Sequence, residues 1–399
     1  MKRVYDNIIR QHLREHRQMV FLSGPRQVGK TTTARTAAPK ALYVNWDEPD
    51  DRRMILRGSR ALAEALDLSA VQRRRPVLAL DEIHKYSKWK SLLKGFFDAY
   101  GEQCRVVVTG SARLSIYKRG GDSLMGRYFP YRMHPLSIRE IADPAAPNRP
   151  IRRPRPVARE TMDHLLRFGG FPEPFLKGSE RFHRRWQALR TELLFREDVR
   201  DTTRVMDTGQ MQALAELLAE QAGQLVNYSS LAVQIRVSVD TIRRWIATLE
   251  SFYYCFTVRP WHRNLAKSLR KQPKAYLWDW SCVAGAGARW ENFIAAHLLK
   301  AAHAWTDLGL GRFELAYLRD TTGREVDFVV IRDGRPWFLV EAKSGSRREL
   351  NPALGHMQAQ IGAPLAFQVS PDLDYVDRDC FSLKRPMRVP ALTLLSQLV

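Results

Sequence analysis

The strongest constraint on this chain is the stretch Gly24-Pro25-Arg26-Gln27-Val28-Gly29-Lys30-Thr31, set between the apolar run Met19–Leu22 and a segment of helical character. Its spacing, G-x-x-x-x-G-K-T, is that of a phosphate-binding P-loop. Glycines let the backbone curl until its N–H groups point at phosphate oxygens. The helix that follows turns its positive end toward the same anion. In that arrangement Lys30 reaches the β and γ phosphates and Thr31 holds Mg²⁺. The nucleotide-binding set is therefore Gly24, Pro25, Arg26, Gln27, Val28, Gly29, Lys30, Thr31 and Thr32, with ATP as the ligand.

The residues around the loop fit the same chemistry. An amphipathic helix is expected over 4–16, with Val4, Ile8, Ile9 and Leu13 inward. Strands are expected at 19–23 and 41–45, with a helix over 51–70. The segment Pro76-Val77-Leu78-Ala79-Leu80-Asp81-Glu82 is an apolar strand ending in two acids, a Walker B pattern. Asp81 would support Mg²⁺ through a coordinated water, and Glu82 would polarise the water that attacks the γ-phosphate. A helix over 88–100 and a strand over 105–111 follow. Ser111 and Thr109 are both candidates to touch the γ-phosphate. Arg113 and Arg127 lie beyond that strand, and either guanidinium could stabilise transition-state charge, in its own subunit or a neighbour's; Arg127 is the catalytic candidate. Strands alternating with helices imply an α/β fold with a parallel sheet and nucleotide at the strands' C-terminal ends.

Charge bears on the partner. Among 399 residues the formal net charge is +22, far beyond what solubility requires, and DNA is the leading polyanionic partner. Cys104, Cys255, Cys282 and Cys380 show no paired spacing, which argues against disulfides and zinc and fits a reducing cytoplasm. No apolar run is long enough to span a bilayer, so no membrane is expected, and the first residues lack the apolar core of a signal peptide.

Residues 142–158 are rich in Pro and Arg and read as an extended linker. Gly169-Gly170-Phe171-Pro172-Glu173 reads as a tight turn before a helix at 179–200, and 207–223 forms another. Residues 228–251 have helix-turn-helix spacing. Ser229 or Ser230 would cap a short helix through Ile235, and Ser238 would cap a second, with Ile242, Trp245, Ile246 and Leu249 inward. The β-rich segment 252–258 would supply a wing. In such a module Arg243 and Arg244 contact DNA, and Arg263 and Lys267 extend the basic surface.

Toward the C-terminus, 289–303 is strongly helical and is followed by three expected strands, GRFELAYL, REVDFVVI and PWFLVEAKS. Burying Asp327 and Glu341 alone would be costly, so a metal or a lysine partner is expected. Side chains alternate along a strand, so Glu341 and Lys343 share a face. A three-residue loop, Arg332-Asp333-Gly334, would set Asp327 opposite Leu339 and bring it to that same face. The segment 351–370 reads as helix then strand, and 389–398 as a strand or helix.

The order GPRQVGKTT, LALDEIHK, TGSAR, GRYFPYRMHPLS and GGFPEP resembles the prokaryotic AAA-family ATPases whose C-terminal region is a domain of unknown function, over nearly the whole chain. That resemblance implies an AAA-type core, a helical lid joined through GGFPEP, and a homo-oligomer. The pattern Asp327…Glu341-Ala342-Lys343 is similar to the PD-(D/E)xK nucleases, which implies that Asp327 and Glu341, with Glu291 from the preceding helix, bind Mg²⁺ or Mn²⁺ while Lys343 positions or activates the attacking water. The expected layout is an ATPase core at 1–141, linker 142–158, lid 159–225, winged helix 226–275 and a restriction-endonuclease-like α/β domain at 276–399. The expected function is a cytoplasmic Mg²⁺-ATPase that remodels or translocates DNA, with metal-dependent cleavage implied by the C-terminal acids. The alternative is a nucleotide-controlled DNA- or protein-binding switch on a non-cleaving scaffold.

Overall fold

The computed structural model describes residues 1–70, 73–110, 124–199, 208–262, 271–320, 322–344 and 349–399. It divides into two compact units, Met1–His134 with Pro144–Ala146, and Pro135–Asp143 with Pro147–Val399.

The first unit holds strands β1 (Met19–Ser23), β2 (Leu42–Asn45), β3 (Val77–Asp81), β4 (Arg105–Gly110) and β5 (Tyr128–Arg132). Their order is β2-β3-β4-β1-β5, and every pairing is parallel. Strands covered on both faces read as unbroken apolar runs, as Val77–Leu80 and Val106–Val108 do. On one face Phe21, Val44, Leu78, Leu80, Val106 and Val108 pack against Trp89, Leu93 and Phe96 of the helix Trp89–Tyr100. The helix expected over 51–70 is two helices, Pro49–Leu56 and Ser59–Ala65. Gly58 stands between them at φ +91°, a conformation a helix cannot continue through.

Register decides where the chemistry sits. Ser23 pairs with Gly110, and Asp81 pairs with both Thr109 and Asn45. The C-terminal ends of β1 to β4 therefore finish at one level. The loop after β1 and the acids after β3 meet there, where open parallel sheets bind ligands.

The second unit holds β6 (Cys255–Pro260), β7 (Lys274–Leu277), β8 (Phe313–Arg319), β9 (Glu325–Arg332), β10 (Arg335–Ala342), β11 (Leu365–Ser370) and β12 (Met387–Pro390), in the order β12-β11-β10-β9-β8-β6-β7. The helix Ala286–Asp307 packs on this sheet through Phe293, Ile294, Leu298, Ala301 and Trp305, all fully buried. Asn292 on that helix bonds both the N–H and the carbonyl of Leu277, each at 2.8 Å, and so satisfies the outer edge of β7. The segment expected to be a wing is β6. It pairs antiparallel with β7 and parallel with β8, so it belongs to the large sheet.

The helix-turn-helix forms over Tyr228–Ile235 and Val239–Ser251, with Ile242, Trp245, Ile246 and Leu249 buried. Ser238 caps the second helix, accepting from the Thr241 N–H at 3.1 Å. The first helix is capped by Asn227, whose Oδ1 accepts from the Ser230 N–H at 3.1 Å, and not by Ser229 or Ser230. Both serines already lie inside the helix, where their side chains cannot reach its first free N–H groups. The turn at Gly169-Gly170 is a packing device: a Cβ on Gly170 would meet Trp280 at 2.5 Å and Pro135 at 2.8 Å.

The β9–β10 hairpin corrects the expected loop. Arg332 pairs with Arg335, which leaves a two-residue turn, Asp333-Gly334, at φ +50° and +79°. Positive φ at both residues is the type I′ turn that suits strand twist. That turn alone would set Asp327 opposite Val340. A β-bulge at Trp337 adds one residue to β10, so Val340 pairs with Phe328 and Glu341 stands against Asp327. The shared face arises from the bulge, not from a longer loop.

A buried ion pair closes the unit's interior. Lys300, 1% exposed, donates to Glu140, also 1% exposed, and to the Pro135 carbonyl at 2.9 Å. Removing one partner strands a charge away from water. Lys300→Met is expected to lower the stability of this unit by about 3–5 kcal/mol in denaturant titration. Lys300→Met combined with Glu140→Leu is expected to regain most of that loss; a double variant as weak as the single would contradict the account.

Candidate active site

The P-loop takes the shape its glycines permit. Gly24 has φ +159° and lies so close to Met133 that a Cβ would meet that carbonyl oxygen at 2.4 Å. Gly29 has φ +100° and leads directly into the helix Lys30–Ala37. Lys30 is buried, and its ammonium donates to the carbonyls of Gly24 (3.0 Å) and Pro25 (2.7 Å). The loop thus folds around the lysine meant for phosphate. Arg3 braces it from outside, donating to the carbonyls of Val28 (2.6 Å) and His134 (2.7 Å).

Asp81 is the hub. Its Oδ2 accepts from Thr31 Oγ1 at 2.7 Å and from the Tyr43 hydroxyl, and its Oδ1 accepts from Thr109 Oγ1 and from the Glu82 N–H at 3.1 Å. Burial pushes this carboxyl up, but hydrogen bonds from Thr109, Tyr43 and Thr31, with the charge of Lys30, outweigh it and hold the group below the usual range. Burial and the bond to Asp81 raise the Tyr43 hydroxyl, so it stays a donor. Thr31 Oγ1 and Asp81 are hard oxygen donors held side by side, a pair that suits Mg²⁺.

Glu82 follows in the left-handed region at φ +53°. Its carboxylate lies 3.6 Å from His84 Nε2 and 3.7 Å from Lys85 Nζ. Burial raises its proton affinity, opposed by Lys30 and Lys85. A raised carboxyl is a stronger proton acceptor, which suits work on water.

Other expectations fare differently. Ser111 and Arg113 lie outside the described residues. Thr109 has its hydroxyl on Asp81, which redirects it from phosphate to the acid. Arg127 precedes β5 at the end of the sheet opposite the P-loop, about 13 Å away along the strand. It makes a two-pronged pair with Asp98 at 2.7 and 3.0 Å. Arg127 therefore does not act on this chain's own nucleotide. Arg3 and Tyr43 join the site without a motif of their own. Only the packing of distant segments brings them there.

In the second unit Asp327 and Glu341 do share a face. The Asp327 N–H donates to Glu341 Oε2 at 3.4 Å, and Asp327 Oδ2 accepts from the Ala342 N–H at 2.8 Å. Among the described residues no group of three or more His, Cys, Asp or Glu side chains that could hold a metal ion is present, Glu291, Asp327 and Glu341 included. A lysine stands among the acids instead. Lys274, 4% exposed, lies 2.5 Å from Glu325, 3.2 Å from Glu291 and 3.8 Å from Asp327, and the Tyr276 hydroxyl donates to Glu291 at 2.7 Å. Glu341 Oε1 is taken by Asn351 Nδ2 and Lys343 Nζ, each at 2.7 Å. Burial lowers the Lys343 ammonium, but the bond to Glu341 and the nearby acids outweigh it and raise it. A lysine so held keeps its proton and is a poor base.

Arg243 and Arg244 are exposed on the second helix of the helix-turn-helix. Arg243 lies over the Tyr228 ring at 5.0 Å, and Arg244 donates to Thr241 Oγ1 at 3.2 Å. Arg263 and Lys267 lie outside the described residues.

A five-stranded parallel sheet with a lysine-bearing loop after β1 and a hydrogen-bonded acid after β3 defines a P-loop ATPase. The chain carries an AAA-type ATPase domain followed by regions of unknown function: residues 16–142 match the AAA domain model, 159–290 match the domain of unknown function DUF8612, and 286–369 match the domain of unknown function DUF4143. An uncharacterized protein of Mycobacterium tuberculosis (strain H37Rv) is 24% identical over 334 residues, 80% of this chain and 69% of the relative. Among solved structures, a Walker-type ATPase of Pyrococcus abyssi shares 13% identity at a TM-score of 0.40, covering 70% of this chain and 93% of that one. The Aeropyrum pernix ORC1 protein in complex with DNA shares 14% identity at a TM-score of 0.33, covering 70% and 86%.

The depressed Asp81 carboxyl links the site to pH. Its folded value lies below its ordinary value of 3.8, so its stabilisation is complete above about pH 4 and is lost as pH falls through the folded value. The stability difference between the native chain and Asp81→Asn is therefore expected to be widest at neutral pH and to shrink in acid. A difference that stays constant from pH 7 to pH 3 in denaturant titrations would contradict this.

Proposed function

We propose that the protein is a Mg²⁺-dependent ATPase that binds DNA and couples hydrolysis to DNA remodelling or translocation, working as a homo-oligomer in the cytoplasm. The observation that carries the reading is the meeting of Lys30, Thr31, Asp81 and Glu82 at the C-terminal ends of β1 and β3, the two parallel strands that flank β4. The DNA half rests on the net charge of +22 and on the exposed arginines of the helix-turn-helix. No described helix is long and apolar enough to cross a membrane, and the four cysteines are free.

In this reading Lys30 leaves the loop's own carbonyls for the β and γ phosphates, and backbone N–H groups from Gly24 to Thr32 cradle them. Thr31 and Asp81 would hold Mg²⁺, which neutralises charge on the phosphate oxygens when bound. Tyr43 and Thr109 orient Asp81 through their hydroxyls. Glu82 takes up hydrogen-bonding with the attacking water and draws on its proton.

For the C-terminal domain the lysine among the acids favours the non-cleaving alternative. Lys274 already supplies the cation that Glu291, Glu325 and Asp327 require, and Lys343 is occupied by Glu341. We read this sheet as a scaffold that shapes the helix-turn-helix and its basic surface, not as a nuclease centre.

ATP hydrolysis measured with single-stranded, duplex and four-way-junction DNA tests the first part. One DNA form is expected to stimulate hydrolysis, Lys30→Ala to abolish it, and Glu82→Gln to lower kcat at least a hundredfold while ATP binding persists. Hydrolysis indifferent to every DNA form would count against the coupling. Plasmid incubated with the native chain in Mg²⁺ or Mn²⁺ is expected to stay intact; cutting that survives Lys30→Ala and vanishes in Lys343→Ala would overturn the scaffold reading.

A further inference from the structure

Beside the helix-turn-helix lies a groove of roughly 650 Å³, bounded by the start of the helix Tyr228–Ile235, one side of the helix Val239–Ser251, strand β6 and the approach to β7. That volume lies within the range of small-ligand sites, about 300–1,000 Å³. Its lining is uneven. Ile246 and Val239 supply an apolar floor, and Tyr228 supplies a ring. Three cations, Arg243, Arg259 and Lys271, stand around it, all exposed. Among the described residues none of the three is in a salt bridge. The groove's one acid, Glu250, is occupied, with Oε1 accepting from the Thr257 N–H at 2.8 Å and the Thr257 hydroxyl at 2.6 Å.

Among the described residues three cations face one acid across this groove, and that excess of positive charge marks a site for a polyanion. The ring and the apolar floor call for a flat, apolar surface beside that charge. Single-stranded nucleic acid offers both, because an unstacked base exposes its π-face while its flanking phosphates carry the charge. A duplex does not, because its bases are stacked on each other and only its edges and backbone are offered. Arg243 points the same way. Its guanidinium is drawn over Tyr228 at 5.0 Å, into the groove, which leaves Arg244 as its neighbour on the helix's outer face.

We propose that this groove binds single-stranded DNA, with Arg259 and Lys271 on successive phosphates and one unstacked base lodged against Tyr228 and Ile246. The inference rests on the DNA reading above and narrows it. The helix-turn-helix then serves as one wall of a single-strand site and not as a reader of the duplex major groove.

Fluorescence anisotropy on the full chain tests it, using a labelled single-stranded oligonucleotide and a blunt duplex of the same sequence across a salt series. Arg259→Gln with Lys271→Gln replaces two exposed side chains and leaves the core alone. This double variant is expected to bind the single strand about tenfold more weakly, with the salt slope reduced by about one to two, while duplex affinity changes less than twofold. Tyr228→Leu keeps the charge and removes the ring, and is expected to weaken single-strand binding about fivefold or more with the salt slope unchanged. A double variant that still binds the single strand as tightly as the native chain overturns the groove and leaves the DNA reading standing. Equal losses on both DNA forms overturn the single-strand preference. A native chain that binds neither form overturns the DNA reading beneath it.

Discussion

A carboxylate buried at the end of a strand must find hydrogen bonds, and the first unit is arranged around satisfying one. Asp81 accepts from Thr31 at the head of the P-loop helix, from Tyr43 on β2 and from Thr109 on β4. Those donors come from three different elements, so the acid ties the nucleotide loop to the centre of the sheet. The tie works because β2, β3 and β4 end at the same level, a consequence of their parallel register. The result is an acid kept ionised despite burial, one residue before a glutamate whose proton affinity burial raises. Two adjacent acids are thereby pushed in opposite directions, one toward holding a cation and the other toward accepting a proton.

The second unit meets the same problem with the opposite charge. Lys274 is buried on β7, and Glu291 from the helix Ala286–Asp307 and Glu325 and Asp327 from β9 converge on it. Charges taken from water need partners, and here a lysine meets the need that a metal meets in nuclease sites. Asp327 lies against Glu291 and Glu341 as well, and burial with those two acids raises its carboxyl well above the ordinary value. The lysine and the Ala342 N–H oppose that rise. An acid pattern that reads as metal ligands along the chain is thus also the pattern of an internal salt-bridge network, and sequence spacing does not separate the two.

The hairpin between β9 and β10 shows where local rules reach their limit. Asp333-Gly334 is a strong turn signal, and it does make a two-residue turn. Turn chemistry alone would put Asp327 and Glu341 on opposite faces. The bulge at Trp337 reverses that outcome, and Trp337 lies among the rings of Trp305, Phe313 and Phe381. The extra residue is accommodated by aromatic packing from distant parts of the chain, which no reading of the hairpin by itself contains. Capping behaves in the opposite way: Ser238 caps its helix as expected because the interaction spans only three residues.

The sequence by itself determined the P-loop, the Walker acids, the parallel α/β core and the helix-turn-helix, because each rests on contacts between near neighbours or on the burial of an unbroken apolar run. Most strands and helices of the described residues fall within a few positions of where periodicity places them. Tertiary structure alone decided which charges meet. Arg3 reaches the P-loop from the first turn of the chain, Tyr43 joins Asp81 from the next strand, Arg127 sits at the wrong end of its strand for this chain's nucleotide, and Lys274 enters the acidic cluster. The physical reason is range: backbone preference and hydrophobic period act over a few residues, whereas pairing a buried charge requires groups that only the completed sheet brings within hydrogen-bonding distance.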